Sequence, residues 1–263
     1  LQNGGYSSSK NTNFTTEIKF MGVLHYLAHH VGLRDKIEKL IFKPVRSWKK
    51  LTAAASFDQE LHAAAHRDAA AFAYQHFSAA AYFQSKKELY HFVLEKLGPQ
   101  PGLCFECGVY KADTLNYFAS KLSDRQWHGF DSFEGLPESW SGGEKGKGAF
   151  SLQGRLPRVR KNVQLHKGWF DQTVQPWLQS ENQPVAFAHL DADLYSSTIT
   201  VLDAMTPYAQ TGTYILFDEY FGQIGWRQGE HQAWQEWLQK TGWQTECLAY
   251  SSSGATLFVL KNK

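Results

Sequence analysis

The feature that most constrains this chain is where its acidic residues fall relative to short apolar runs. Residues 103–109, 127–130, 185–190 and 213–217 are apolar stretches of strand length. Each carries, or is followed at once by, a carboxylate: Glu106, then Asp131, then Asp191 with Asp193, then Asp218 with Glu219. A single acidic residue after a strand is ordinary, because Asp is common in turns. Four such ends are a pattern, because open α/β sheets bind ligands in the crevice beyond the carboxyl ends of their strands.

The segments between these runs have helical character, at 114–122, 173–178, 197–205 and 232–240. Further apolar runs at 163–166, 245–249 and 256–260 complete the series, the last two joined through Ser251-Ser-Ser-Gly254 as a hairpin turn. Alternating strands and helices predict an α/β fold: a doubly wound, mainly parallel, Rossmann-like sheet of seven strands, with the terminal hairpin adding an antiparallel strand. The part before it reads as helical. Between Gly32 and Gly98 there is no glycine, Pro44 is the sole proline, and residues 53–81 hold thirteen alanines, the strongest helix former. Ser85-Lys-Lys-Glu88 is a capping-box pattern, and Gly98-Pro99 a stop. The expected division is a polar tail at 1–13, a helical region at 14–97 serving as lid or oligomerisation element, and a catalytic domain at 98–263.

Composition removes several function classes. The 263 residues carry 27 basic and 25 acidic side chains, a net charge of +2, so there is no overall pull toward nucleic acid. No apolar run approaches the roughly 20 residues of a membrane-spanning helix, and the polar start lacks a signal-peptide pattern. Three cysteines argue against a disulfide scaffold. Cys104 and Cys107 form a C-x-x-C inside a strand, where side chains three apart point to opposite faces. These points suggest a cytoplasmic protein.

The residues after the first strand, Glu106-Cys-Gly-Val-Tyr-Lys-Ala112, are not G-x-G-x-x-G, which speaks against a dinucleotide pyrophosphate. Gly108 lets a ligand approach the backbone, and the helix beginning near Asp113 offers its N-terminus. Asp131, closing the second strand, is placed to accept hydrogen bonds from ribose hydroxyls. An acidic first strand end suits a cofactor bearing an amino group or a positive charge. S-adenosylmethionine has both, and a ribose.

Four motifs then occur in order: Gly129-Phe-Asp-Ser-Phe-Glu-Gly-Leu-Pro137, His166-Lys-Gly-Trp-Phe-Asp171, His189-Leu-Asp-Ala-Asp-Leu-Tyr-Ser-Ser197 and Phe217-Asp-Glu-Tyr220. From about residue 103 to 260 the chain resembles the macrocin O-methyltransferase (TylF/MycF-type) family of class I S-adenosylmethionine-dependent methyltransferases, many of which act on sugar hydroxyls of natural products. The resemblance implies that Glu106, Gly108, Asp131, Ser132 and Asp191 hold the cofactor, with Gly168 and Trp169 near its adenine. It also implies a Mg²⁺ site made by Asp191, Asp218 and Glu219, and a general base at Asp193. Two positions depart from the pattern. Glu219 stands where metal-binding members carry Asp, and Tyr110 and Ala112 stand where many class I enzymes have glycine.

The reading that follows is O-methyl transfer to a hydroxyl of a small-molecule natural product, a glycoside or other secondary metabolite. A divalent ion held by Asp191, Asp218 and Glu219 would lower the hydroxyl pKa and orient the oxygen, and Asp193 would then take its proton. His189, on the same strand face as Asp191, is a second candidate base. The chain is expected to form a homodimer or larger. Two alternatives stand beside this: a metal-independent O- or N-methyltransferase, and a catalytically silent methyltransferase-like binding domain. Trp234 and Trp237 read as packing, Trp226 as a candidate pocket wall, and Arg155, Arg158 and Arg160 as a solvated loop face.

Overall fold

The structure, a computed structural model, describes residues 43–140 and 145–262, with side chains from residue 57 onward. The expected tail at 1–13 and the helical spacing before residue 43 lie outside the described residues. Contacts divide the chain into two units, Leu1–Glu60 and Leu61–Lys263. The described part of the first unit is the start of helix α1 (Lys43–His76). The second unit takes in two elements on the N-terminal side of the composition change near residue 98.

Those two are strand β1 (Ala81–Phe83) and helix α2 (Lys86–Leu97). After them come β2 (Leu103–Cys107), α3 (Asp113–Lys121), β3 (Trp127–Asp131), β4 (Val163–Lys167), α4 (Phe170–Glu181) and β5 (Val185–Leu190). The series ends with α5 (Tyr195–Met205), β6 (Tyr214–Phe217), α6 (Glu230–Thr241), β7 (Thr245–Ser251) and β8 (Thr256–Leu260). The sheet order is β1-β7-β8-β6-β5-β2-β3-β4, parallel except that β8 runs against β6 and β7. The doubly wound, mainly parallel sheet is as the sequence predicts. It has eight strands where the sequence predicts seven.

The extra strand is β1. Its alanine-rich surroundings favour helix, but Phe77 ends that run by burying its ring against Tyr250 and Phe258 at 5.8 and 5.7 Å. The chain then pairs Ala81, Tyr82 and Phe83 with Ala249, Tyr250 and Ser251 at the sheet edge. Tertiary pairing overrides propensity here. The capping box is present: Ser85 Oγ accepts from the Glu88 N–H, and the Glu88 carboxylate accepts from the Ser85 N–H.

Two apolar clusters lie on the two faces of the sheet. One draws on α4, α5, α6 and the end of α1, the other on α2 and α3. Cys107 belongs to the first and Cys104 to the second, so the C-x-x-C cysteines point apart, as strand geometry requires. Trp234 and Trp237 stack at 5.3 Å inside the first.

Strand order positions the site. From β2 the chain moves outward through β3 and β4, then returns to place β5 and β6 on the other side of β2. The switch therefore lies between β2 and β5, where a crevice opens. The ladder continues one residue past the strands: Gly108 N–H donates to Phe130 O, Asp191 N–H to Cys107 O and Asp218 N–H to Leu190 O, all within 2.9–3.0 Å. Four strands thus end level with one another. Among the described residues, no helix is long and apolar enough to cross a membrane.

Candidate active site

A cavity of about 530 Å³ opens at this switch point. Gly108, Asp131, Ser132, Trp169, Asp191, Asp193, Asp218 and Glu219 all line it, so the carboxylates of three of the four acidic strand ends converge on it, while Glu106 of the first does not. The connection between β3 and β4 supplies apolar wall through Leu136 and Phe150. It is tied to the start of α5 by Ser196 Oγ, which donates to Glu138 Oε1 at 2.6 Å. Glu106, His189 and Gly168 are not among the lining residues.

Over β2 and β3 the main structural agent is Asp131. Its Oδ2 accepts the backbone N–H groups of Val109 and Tyr110 at 2.9 and 2.8 Å, and its Oδ1 accepts that of Phe133 at 2.6 Å. A carboxylate has about four acceptor positions. Three are thus committed to shaping the two loops, and one remains for a ligand hydroxyl. The bond to Tyr110, with that of the Ala112 N–H to Val109 O at 2.7 Å, explains how Tyr110 and Ala112 stand where glycine is usual. Both hold left-handed backbone, at φ 45° and 64°, a conformation that costs L-residues of order 1–2 kcal/mol each. Charge-assisted bonds of about 1.5–3 kcal/mol offset that cost.

Gly108 lies at φ 91°, and a Cβ there would sit 1.7 Å from the Asp191 carbonyl oxygen. Its missing side chain therefore serves the close approach of β2 to the end of β5, and its backbone lines the cavity. Ser132 Oγ accepts from the Glu134 N–H at 3.1 Å. Trp169, 37% exposed, keeps part of its surface open beside the cavity. Trp226 does not line it: its ring is buried against Phe72, Phe221 and His231.

Glu106 and His189 are register partners on β2 and β5, so their side chains share a sheet face beneath the cavity. His189 Nδ1 lies 2.9 Å from Glu106 Oε2, and its Nε2 lies 3.6 Å from Asp218 Oδ1. Burial alone would lower the imidazole pKa. The Asp218 and Glu106 carboxylates reverse that and raise it to about 10. His189 thus stands beneath the cavity between two carboxylates and does not line it.

Beyond β5 the chain leaves the strand abruptly. Asp193 adopts φ 58°, and the Leu194 N–H folds back on Ala192 O at 2.5 Å. That turn lets Asp191 and Asp193, two residues apart, both face the cavity. Burial raises the Asp191 carboxyl well above its usual range, with the Asp218 charge adding to it. Burial likewise raises Asp193, helped by Glu219 and Asp218 and opposed by Lys86, to about 7. Glu219 is also raised, chiefly by burial, and its Oε2 is buried without a hydrogen-bond partner.

Three residues here escaped the sequence reading. Lys86 Nζ, at the first turn of α2, forms an ion pair with Asp218 Oδ2. Tyr90, one helical turn on, donates its hydroxyl to Asp218 Oδ1 at 3.1 Å. Glu230, buried at the start of α6, accepts the Glu219 N–H on Oε2 at 3.1 Å. The one signal for the first two was their four-residue spacing on a helix with a definite start. Glu230 carried none.

The expected Mg²⁺ ligands are therefore only partly assembled. Asp191, Asp218 and Glu219 share the cavity, but the donors on Asp218 are an ammonium and a phenol. Among the described residues, no three His, Cys, Asp or Glu side chains group as a metal-holding set. As it stands, this donor set does not fit a divalent ion. The cofactor side does fit S-adenosylmethionine: one Asp131 acceptor position is spare and an indole face is open.

Comparison with known proteins supplies context. The profile of the family described as "Macrocin-O-methyltransferase (TylF)" matches residues 34–249. The chain is 27% identical over 142 residues to demethyldecarbamoylnovobiocin O-methyltransferase of Streptomyces niveus, a match covering 46% of this chain and 53% of that one. The chain thus spans about half the length of that curated relative. Among solved structures it resembles CalS11, a calicheamicin methyltransferase, with a TM-score of 0.51 at 24% identity over 66% of this chain and 76% of the other. That likeness speaks to the fold.

Proposed function

Since the chain belongs to the macrocin-O-methyltransferase family, we propose that it is an S-adenosylmethionine-dependent O-methyltransferase acting on a hydroxyl of a small-molecule natural product, a sugar hydroxyl in particular. The observation that carries this is the convergence of Asp131, Asp191, Asp193 and Glu219 on one cavity at the switch point of the sheet. The novobiocin-pathway name of the curated relative supports the natural-product acceptor.

S-adenosylmethionine, when bound, supplies the electrophilic methyl group. The residues to hold it are Asp131 through its remaining acceptor position, Ser132, Asp191 and the backbone at Gly108, with Trp169 offering a flat apolar face. Leu136 and Phe150 keep water from the reacting atoms. Asp193 accepts the proton of the acceptor hydroxyl, because its turn aims it into the cavity and its burial makes it a better base than an exposed carboxylate. Glu219, which lines the same cavity, is placed to orient that hydroxyl. The sequence also implies Mg²⁺ on Asp191, Asp218 and Glu219. With Lys86 on Asp218, no step here is routed through a metal. The 14–97 region keeps its proposed role as lid or oligomerisation element; Leu61 and Tyr74 on α1 are exposed apolar groups consistent with it.

The test is incubation with methyl-labelled S-adenosylmethionine and a panel of glycosylated and aglycone acceptors, read by mass spectrometry. Label on a sugar oxygen is the expected result. Label on nitrogen only, or saturable cofactor binding with no transfer to any hydroxyl, would overturn the O-methyl assignment.

A further inference from the structure

The acidic end of the sheet needs a compensating positive charge, and the structure already contains one. Lys86 is the first residue of α2, a position held by the reciprocal Ser85–Glu88 cap. Tyr90 lies four residues on, on the same helix face. Both side chains end on Asp218, the ammonium on Oδ2 and the phenol on Oδ1, while the His189 imidazole stands 3.6 Å from Oδ1 on its other side. The Lys86 side chain is 31% exposed and Asp218 9%, so the pair is partly shielded from solvent.

A Mg²⁺ ion would need Asp218 as a ligand at about 2.0–2.1 Å in near-ideal octahedral geometry. An ion that close to Oδ2 would stand against the Lys86 ammonium, and one on Oδ1 would displace the Tyr90 hydroxyl and face His189. The charge of Lys86 also reaches Asp191, Glu219 and Asp193, the same carboxylates a divalent ion would neutralise.

We propose that the Lys86 ammonium is the resident cation of this site, standing in for a divalent metal, so that methyl transfer by this chain runs without one. This rests on the methyltransferase reading above. Lys86 does not line the cavity, so it is a positioning residue. It holds Asp218 ionised and in place, which orders the end of β6 and leaves Asp193 and Glu219 to meet the acceptor.

The experiment uses the whole protein and Mg²⁺ itself as the probe. Mg²⁺ is titrated calorimetrically into wild type, Lys86→Met and Lys86→Arg, and methyl transfer is measured with EDTA and with added Mg²⁺. Wild type should give no saturable Mg²⁺ binding at millimolar concentration and should keep full turnover in EDTA. Lys86→Met, which keeps the stem and loses the charge, should lose at least about tenfold in turnover, gain saturable Mg²⁺ binding, and recover part of its turnover with the ion. Lys86→Arg should behave as wild type toward Mg²⁺. Stoichiometric Mg²⁺ binding by wild type, or EDTA-sensitive turnover restored by Mg²⁺, overturns the proposal. So does a folded Lys86→Met that binds no Mg²⁺. If Lys86→Met does not fold, the wild-type and Lys86→Arg titrations decide. If no acceptor is methylated at all, the methyltransferase reading fails, while the Mg²⁺ titrations still report on Lys86.

Discussion

Asp131 at the end of β3 is held by three backbone N–H groups, whereas Asp193 just beyond β5 is raised to about 7 by burial and by the charges of Glu219 and Asp218. The same residue type thus does two kinds of work on the two sides of one crevice. Over β2 and β3 carboxylates meet fixed donors: Asp131 meets backbone, and Glu106 meets the His189 ring. Over β5 and β6 carboxylates meet one another, and Lys86 and His189 only partly relieve the crowding. A carboxylate held by several fixed donors is rigid, which suits holding a cofactor. One crowded by like charge takes up a proton more readily, which suits deprotonating an alcohol.

The sharpest break in this comparison should come from Asp193→Asn. Turnover should fall by about 10²–10⁴-fold, the usual worth of a general base, while cofactor affinity measured by calorimetry stays as in wild type. Next in size is Asp131→Ala, which should weaken cofactor binding by about 1–3 kcal/mol. Turnover at saturating cofactor should be largely retained. If both variants move the same parameter, the division of labour between the halves is wrong. Unchanged cofactor affinity in Asp131→Ala would remove that residue from the cofactor site.

The smallest effect concerns the outer wall of the cofactor half. His128 Nδ1 and His166 Nε2 lie 3.0 Å apart on β3 and β4. Burial, with His166 adding, lowers His128 from 6.5 to about 4, and burial lowers His166 too. Both rings are therefore neutral when folded. The unfolded chain binds protons first, so their stabilisation is complete above about pH 6.5 and is lost as pH falls toward 4. Melting temperature should drop between pH 7 and 5 more steeply in wild type than in His128→Gln. Parallel curves would show that the pair does not govern acid sensitivity.

Much of this arrangement was legible along the chain. Hydrophobic periodicity is a local property, so the strands from β2 to β8 and the helices between them could be placed within a few residues. Chain direction in a parallel sheet is also local in effect. A carboxylate that follows an apolar run must sit at the carboxyl end of a strand, and such ends share one edge. That is why Asp131, Asp191, Asp193, Asp218 and Glu219 were found without coordinates. The turn between Asp191 and Asp193 was foreseeable for the same reason, since two residues apart on a strand would not otherwise converge in a cavity.

What only the tertiary structure decided is which charge meets which. Glu106 lines up with His189 because β2 and β5 are neighbours in strand order, and that pairing draws Glu106 beneath the cavity. Lys86 and Asp218 are 132 residues apart, and nothing local to either position reports the other. The short pairing of β1 with β7 and the backbone contact that requires Gly108 are of the same kind. Propensity and periodicity act over a turn or two of chain, whereas ion pairs and close backbone approaches depend on how distant elements pack, and that is set only when the whole sheet has assembled.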